Sequence, residues 1–468
     1  MIWPAAVVLV AIWLGWVFQH RTEPLLRIVP LALAFPPLIW YAGATLGWPA
    51  GFLSTRVALL GCIGLFVVHR IWARDFSWYW AGGQRFVAPY IGLVCLSVLW
   101  SALGVGAADV AQLANEFVTW ILPVCVFFAL STSPHGEGDL AVASRALLVV
   151  VLGSAVLAFS QVMFFMGRSD LVPGVLVGLA RRVADETWFG SFRVYGTFPT
   201  IGPNMFGVFL LIPTAILLSR ASGTSGASKW GWGFCAVVAV AMIAASLSRG
   251  AQLGLVITLV LLPLWRRSWR MAAAVAGLGL LGLIALSATP AWQHAVSLFT
   301  GGQLDSDVLE RVSIWRTILR EASGHPLGYG FDGWIRVSGR LIDIGVSGGA
   351  NTVGSSYPAE NQWLRELADR GPMGVAALVV LVGGLLVVTY RSAAVRTVTG
   401  WRHDFMAGAG AGIGGFSVAM LTGDHLTYDS VAGMFWFVAA LVVSAAPTHA
   451  TQTAQDVSKA YVIGSGGR

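Results

Sequence analysis

The chain has 468 residues, of which 56% are apolar and only 11% charged, and its mean hydropathy is +0.74. A soluble domain carries about a quarter charged residues and would not leave so much apolar surface in water. The figures exclude a soluble enzyme, a disordered chain and a disulfide-stapled secreted domain, and leave a polytopic membrane protein. Lys229 and Lys459 are the only lysines, so nearly all basic residues are arginine. A guanidinium fork matches phosphate bidentately and stays charged beside lipid; a GC-rich genome would enrich the same residue. Cys62, Cys95, Cys125 and Cys235 lie in apolar runs without CxxC spacing. They read as packing residues, with no disulfide and no metal site.

A membrane-spanning helix needs about 20 mostly apolar residues. In chain order such segments centre on residues 2–18, 25–42, 55–69, 86–105, 112–130, 141–166, 203–219, 231–247, 250–265, 271–288, 373–390, 405–422 and 430–446. The fold class predicted is all-α, a polytopic bundle of about 12–14 transmembrane helices. Pro36-Pro37 predicts a break in the second segment, and the first has neither the basic start nor the cleavage site of a signal peptide. Basic residues fall in alternate short loops, at Arg21 and Arg27, Arg70 to Arg85, Arg145, Arg220 and Lys229, Arg266 to Arg270, and Arg391 to Arg402. By the positive-inside rule those loops are cytoplasmic, the N-terminus lies outside and the C-terminus inside.

This divides the chain into a bundle over 1–288, with an outer segment at 167–202, then a large outer loop at 289–372. C-terminal helices at 373–446 and a disordered polar tail at 447–468 follow. Within the loop, 304–321 has the period of an amphipathic helix with Leu304, Val308, Val312, Ile314, Trp315, Ile318 and Leu319 on its apolar side. The run from Gly324 to Phe331 is a turn-rich break, 340–356 is Gly/Ser-rich, and 360–370 predicts a helix leading into the membrane.

Polar residues at the outer face mark where chemistry would sit. Arg193 precedes Pro203-Asn204 at a helix start, where free N–H groups and the dipole suit an anion; the plain alternative is that Arg193 reaches lipid headgroups and Asn204 only begins a helix. Arg249 sits in a tight outer turn, where an arginine needs a carboxylate or a bound phosphate. Arg311, with Arg316 and Arg320, lies on the amphipathic helix, as anion ligands or as a solvated face. Glu360 and Asn361 open the helix after the loop, as chemistry or as caps. Asp424-His425 lies in the short outer loop before the last span, as a base or as ordinary loop residues. The outer aromatic residues Tyr195, Trp315, Tyr329, Trp334, Tyr357 and Trp363, with Trp188 and Trp292, stack on sugar rings or form an interfacial belt. No Walker loop, dinucleotide fingerprint or HExxH motif occurs. Glu116 stands nearly alone as a mid-span acid, which disfavours a transporter or flippase.

Four pieces occur in order: Arg193-Val-Tyr-Gly-Thr-Phe-Pro-Thr-Ile-Gly-Pro-Asn204, the 246–255 run that contains Ser248-Arg249-Gly250, the 310–331 stretch ending in His325-Pro-Leu-Gly-Tyr-Gly-Phe331, and the 360–374 run that opens Glu360-Asn-Gln-Trp-Leu364. With their spacing and topology they resemble the superfamily of O-antigen ligases and O-antigen polymerases. The resemblance implies a metal-independent, inverting glycosyltransferase without cofactor in the bacterial inner membrane. It would act at the periplasmic face on a glycan linked to undecaprenyl diphosphate. Arg193, Arg249 and Arg311 would hold the diphosphate. Glu360 would activate the acceptor hydroxyl with Asn361 positioning, and Asn204, Arg365, Asp424 and His425 would be accessory. Where the ligases carry a histidine this chain carries Glu360, which favours a polymerase of repeat units over transfer to lipid A–core or protein. The partners implied are donor and acceptor glycans, membrane lipids, and the flippase and chain-length regulator of the same pathway, with no nucleic acid.

Overall fold

The computed structural model describes residues 23–39, 54–72, 82–104, 107–172, 193–198, 202–273, 275–277, 306–341, 357–394 and 400–445. The expected span 2–18, most of 271–288, residues 173–192 of the outer segment, 342–356 and the tail 447–468 lie outside them. Among the described residues there is no strand. In chain order the helices are α1 (Glu23–Ala34), α2 (Thr55–Trp72), α3 (Gln84–Gly104), α4 (Ala107–Ser131), α5 (Glu137–Phe165), α6 (Pro203–Phe209) and α7 (Leu211–Gly223). Then follow α8 (Ala227–Ala245), α9 (Arg249–Arg266), α10 (Ser306–Ala322), α11 (Gly333–Leu341), α12 (Gln362–Ala394), α13 (Trp401–Ala419) and α14 (Asp429–Ser444).

Seven helical segments among the described residues are long and apolar enough to cross a membrane: α3, α4, α5, α6 with α7, α8, α12 and α13. The expected segments 55–69 and 250–265 are helices, α2 and α9, that are not among the seven, and α1 and α14 are shorter apolar helices. α1 stops at Ala34, just before Pro36-Pro37, because proline cannot donate the helical hydrogen bond. Leu96, Leu99, Phe159, Val237 and Val260 are exposed on the outer helices, whereas α14 is buried on all sides from Ser430 to Ser444. A helix apolar all round belongs inside a bundle, and an apolar rim takes lipid as its solvent. The chain is a multi-pass membrane protein.

The glycine run of α13 draws three helices into one layer. A Cβ at Gly408 would lie 2.5 Å from the Ile216 Cα of α7, and one at Gly415 would lie 2.3 Å from the Gly254 carbonyl oxygen of α9. Small residues let helix backbones approach where lipid gives no hydrophobic push. At one end the layer is closed by Asp404, which takes Arg220 at 2.5 Å and Arg266 at 2.6 Å. Two arginines counted in the sequence as loop charges are thus a buried lock. At the other end the layer brings together the starts of α6 and α9 and the end of α13.

Apart from the long apolar helices, α10 and α11 share a small core with the chain before and within the start of α12. Ile314 and Ile318 of α10, Trp334 of α11, and Ala359 and Ala368 pack together. The expected apolar face of α10 holds at Ile314, Trp315 and Ile318, but Leu319 is exposed. Arg311 shares the helical side of Ile314, Trp315 and Ile318, with its side chain about a third exposed.

The region 360–370 differs from expectation. It is helical, but it does not run straight into the span. Gly371 has φ 65°, and a Cβ at Gly374 would lie 2.6 Å from the Glu366 carbonyl oxygen. Positions eight apart in a straight helix are about 12 Å apart, so the 362–370 arm folds back on the 372–394 arm. Pro372 has no amide for the Ala368 carbonyl, and the reversal strands that of Asp369. The Tyr329 and Gly330 amides donate to them at 2.9 and 2.8 Å. Gly328 (φ 70°) and Gly330 (φ 86°) let this loop lie so close. The turn-rich 324–331 run is thus a splint for the kink.

Candidate active site

The approach to α6 is held by a residue the sequence reading passed over. Gln161, buried in α5, accepts the Tyr195 and Gly196 amides at 3.1 and 3.0 Å and donates to the Gly196 carbonyl at 3.2 Å. The Val194 amide donates to Ala245 at the end of α8. Arg193 is thereby fixed, and it donates to the Ser246 carbonyl at 3.0 Å and the Asn204 Oδ1 at 2.5 Å. Burial depresses the Arg193 pKa, Tyr195 opposes, and the Arg249 charge depresses it further. Two guanidinium groups close enough for one charge to act on the other favour an anion nearby.

Arg249 begins α9 immediately after Ser248, whose Oγ accepts the Ala251 amide as an N-cap at 3.3 Å. Gly250 is required here, because a Cβ would lie 1.8 Å from Thr422 Oγ1. The Thr422 carbonyl in turn accepts Arg311 Nη1 at 3.3 Å, and Arg311 Nη2 lies 3.1 Å from Glu360 Oε2. Thr422 therefore links the α9 start to the arm, and Arg193, Asn204, Arg249, Arg311 and Glu360 gather at one end of the bundle. Arg316 and Arg320 are exposed on α10.

Glu360 has φ 51°, a left-handed conformation that costs a non-glycine residue about 1–3 kcal/mol. Its neighbours impose it. The Ala359 carbonyl accepts Trp315 Nε1 at 3.0 Å, and the Asn361 amide donates to Asp424 Oδ1 at 2.9 Å. Asn361 Oδ1 accepts the Trp363 and Leu364 amides at 3.0 and 3.2 Å, so its side chain caps the 362–370 arm.

Asp424 and His425 part ways. Asp424 Oδ2 lies 3.1 Å from Arg365 Nη1, Asp369 Oδ2 lies 3.5 Å from Arg365 Nε, and Asp332 Oδ1 bonds Arg365 Nη2. Arg365 is the hub of three buried carboxylates, a structural part rather than a free ligand for diphosphate. His425 is 2% exposed. Its Nε2 donates to the Ala419 carbonyl at 3.0 Å, which leaves Nδ1 facing Met205 Sδ at 3.3 Å. Burial lowers its pKa to about 4, with Arg311 adding to the shift. It is a neutral, enclosed side chain with no nitrogen turned to a substrate.

The aromatic residues are also used internally. Trp334 is 1% exposed, the Trp315 and Trp363 indoles donate to backbone carbonyls, and Tyr329 Oη donates to Glu321 at 2.8 Å. The residues missed in sequence, Gln161, Asp332, Asp369 and Thr422, carried one weak signal, a polar side chain beside or within an apolar helix.

Residues 234–395 match the family described as O-antigen ligase. The match includes Arg249, Arg311 and Glu360; Arg193 precedes it and Asp424 follows it. No curated protein matches the chain. The match covers about a third of the chain and, with the all-helical membrane architecture, supports its likeness to the O-antigen ligases and O-antigen polymerases.

Proposed function

We propose that the chain polymerises oligosaccharide repeat units carried on undecaprenyl diphosphate, at the periplasmic face of the bacterial inner membrane. The observation that carries this reading is the convergence of Arg193, Arg249, Arg311 and Glu360 at one end of the bundle, linked through Thr422. A diphosphate brings two or more negative charges, which guanidinium groups bind bidentately. Stabilising charge that develops on a leaving group is often the largest catalytic contribution.

In the reaction, the acceptor hydroxyl oxygen bonds to the anomeric carbon of the donor sugar. The bond from that carbon to the diphosphate breaks, and its electron pair leaves with the diphosphate among the arginines. The hydroxyl proton passes to the Glu360 carboxylate. One displacement inverts the anomeric configuration, and no metal is invoked. The Arg311–Glu360 contact joins the base to the leaving-group site, so arrival of the diphosphate and activation of the hydroxyl are coupled. Asn361 serves this step through the backbone, by holding the turn that aims Glu360. The flippase and chain-length regulator of the same polysaccharide are the expected partners.

A ligase passing the glycan to lipid A–core or a protein is the second reading, favoured by the family match itself. Both readings share the donor, so both predict that Arg193→Ala and Arg249→Ala each weaken undecaprenyl diphosphate binding about 10- to 100-fold, the loss expected for charged hydrogen bonds. Native mass spectrometry of the full chain in lipid nanodiscs reads this directly. Parent-like binding by both variants would refute the diphosphate site.

A further inference from the structure

Against the 362–370 arm lies a second polar space, whose lining includes none of Arg193, Arg249 and Arg311. Its walls are that arm, Leu426 and Thr427 on one side and Glu116, Thr119 and Trp120 of α4 on the other, with Tyr90 and Phe331 between. Its volume is about 30 Å³, room for one or two waters or a hydroxymethyl group. Most polar groups in its lining are accounted for. Arg365 binds its three carboxylates, and Glu366 takes Tyr90 Oη at 2.8 Å, Gln362 Nε2 at 2.9 Å, and Arg370.

Two groups are not explained by packing. Glu116 is a half-buried carboxylate between Asn115 and Thr119 of α4, and it accepts from the Asn115 amide at 3.4 Å. It also faces like charge. Burial pushes the Asp332 carboxyl up, Arg365 pulls it down, and Glu116 pushes it up further. The second group is the Trp120 indole N–H. Trp120 is 7% exposed, and its N–H, beside the Tyr90 hydroxyl, has no partner at full hydrogen-bond geometry. An acceptor and a donor are thus left facing one small cavity, at an electrostatic cost for the acceptor.

The lining holds Glu116, Asp332, Glu366 and Asp369 against Arg365 and Arg370. That surplus of negative charge repels a diphosphate, in contrast with the cluster of Arg193, Arg249 and Arg311. A neutral, hydroxyl-rich group fits, because a hydroxyl gives its proton to a carboxylate and accepts from an indole N–H.

We propose that this cavity is the acceptor subsite, taking one hydroxyl-bearing edge of the acceptor sugar, with Glu116 accepting and Trp120 Nε1 donating. The inference rests on the glycan-transfer reading and adds where the acceptor is held. One wall of the cavity is the arm that begins two residues after Glu360, at Gln362.

The test uses the full chain in lipid nanodiscs, supplied with lipid-linked repeat units extracted from a strain lacking it. Glu116→Gln and Trp120→Phe are compared with the parent and with Arg193→Ala. Chain extension is read on gels, undecaprenyl diphosphate binding by native mass spectrometry, and folding by thermal midpoint. We expect each cavity variant to extend about tenfold more slowly, to bind undecaprenyl diphosphate as the parent does, and Glu116→Gln to melt no lower than the parent. Parent-like extension by both cavity variants, while Arg193→Ala loses binding and extension, would overturn the acceptor subsite and leave the glycan-transfer reading standing. A parent that neither binds undecaprenyl diphosphate nor extends would overturn both.

Discussion

Replacing Arg365 by methionine keeps most of the side chain's length and removes the charge at the centre of three carboxylates. Asp424, Asp369 and Asp332 side chains are 5%, 1% and 9% exposed, so water cannot take the guanidinium's place. Removing one partner of a buried ion pair costs about 3–5 kcal/mol, and here one residue serves three partners on three separate stretches of chain. Against a total stability of about 5–15 kcal/mol, the loss is large. The pH dependence has a definite sign. Without the arginine, the buried carboxyls hold protons in the folded state at a pH where the unfolded chain has released them. Folding of the variant then takes up protons, so its deficit shrinks as the pH falls. Urea or dodecyl sulfate titration in micelles, followed by circular dichroism, should give a deficit of about 3 kcal/mol or more at neutral pH and a smaller one in acid. A deficit below about 1 kcal/mol at neutral pH, or one that grows on acidification, would refute the hub.

Other outcomes follow from the same contacts. Gly371→Ala places a Cβ 1.9 Å from the Pro326 carbonyl oxygen at φ 65°, so it should lower the thermal midpoint and reduce glycan output by displacing the 362–370 arm; a parent-like midpoint contradicts the reversal. His425 has a pKa of about 4 when folded against about 6.5 when unfolded. The unfolded chain therefore binds an extra proton in that window, and stability should fall by up to about 3 kcal/mol as the pH drops through it. His425→Gln should flatten that part of a melting curve series. Asn361→Ala should cost about 1 kcal/mol as a lost cap while Asn361→Ser retains stability and output; equal loss from both would give Asn361 a role beyond the cap. Arg311→Lys keeps the charge but not the fork that reaches both Thr422 and Glu360, and should reduce glycan output with little change in protein level.

The seven long apolar helices were readable because lipid demands long apolar runs. Arg56 contacts Asp429 at 3.1 Å, at the opposite end of the bundle from the Asp404 lock. Arg311 was also within reach of the sequence, since 311, 314, 315 and 318 share one helical face. The reversal at Gly371 was not seen, because Arg370-Gly-Pro-Met lies between two good helical runs, and only the Gly-Pro pair marks the break. The hub of Arg365 joins residues from three distant stretches, and no local pattern announces it. Asp424 and His425 are neighbours in sequence, but a tight turn sends one to Arg365 and the other to Met205. Of the outer aromatic residues, read as sugar platforms or an interfacial belt, Trp315 and Trp363 donate to backbone carbonyls, whereas Trp120, inside an expected span, lines the cavity.

The central claim is that Glu360 activates a hydroxyl for glycan transfer from a lipid diphosphate. The most direct measurement is the glycan made by a deletion strain complemented with Glu360→Gln, which keeps the shape and removes the base. Protein level is checked in membranes, and glycan lengths and lipid-linked species are read on gels. The prediction is a normal protein level, no long chains, and accumulation of lipid-linked single repeats; accumulation of long lipid-linked polymer would instead identify the ligase. Chains of normal length on the usual acceptor would contradict Glu360 as the base.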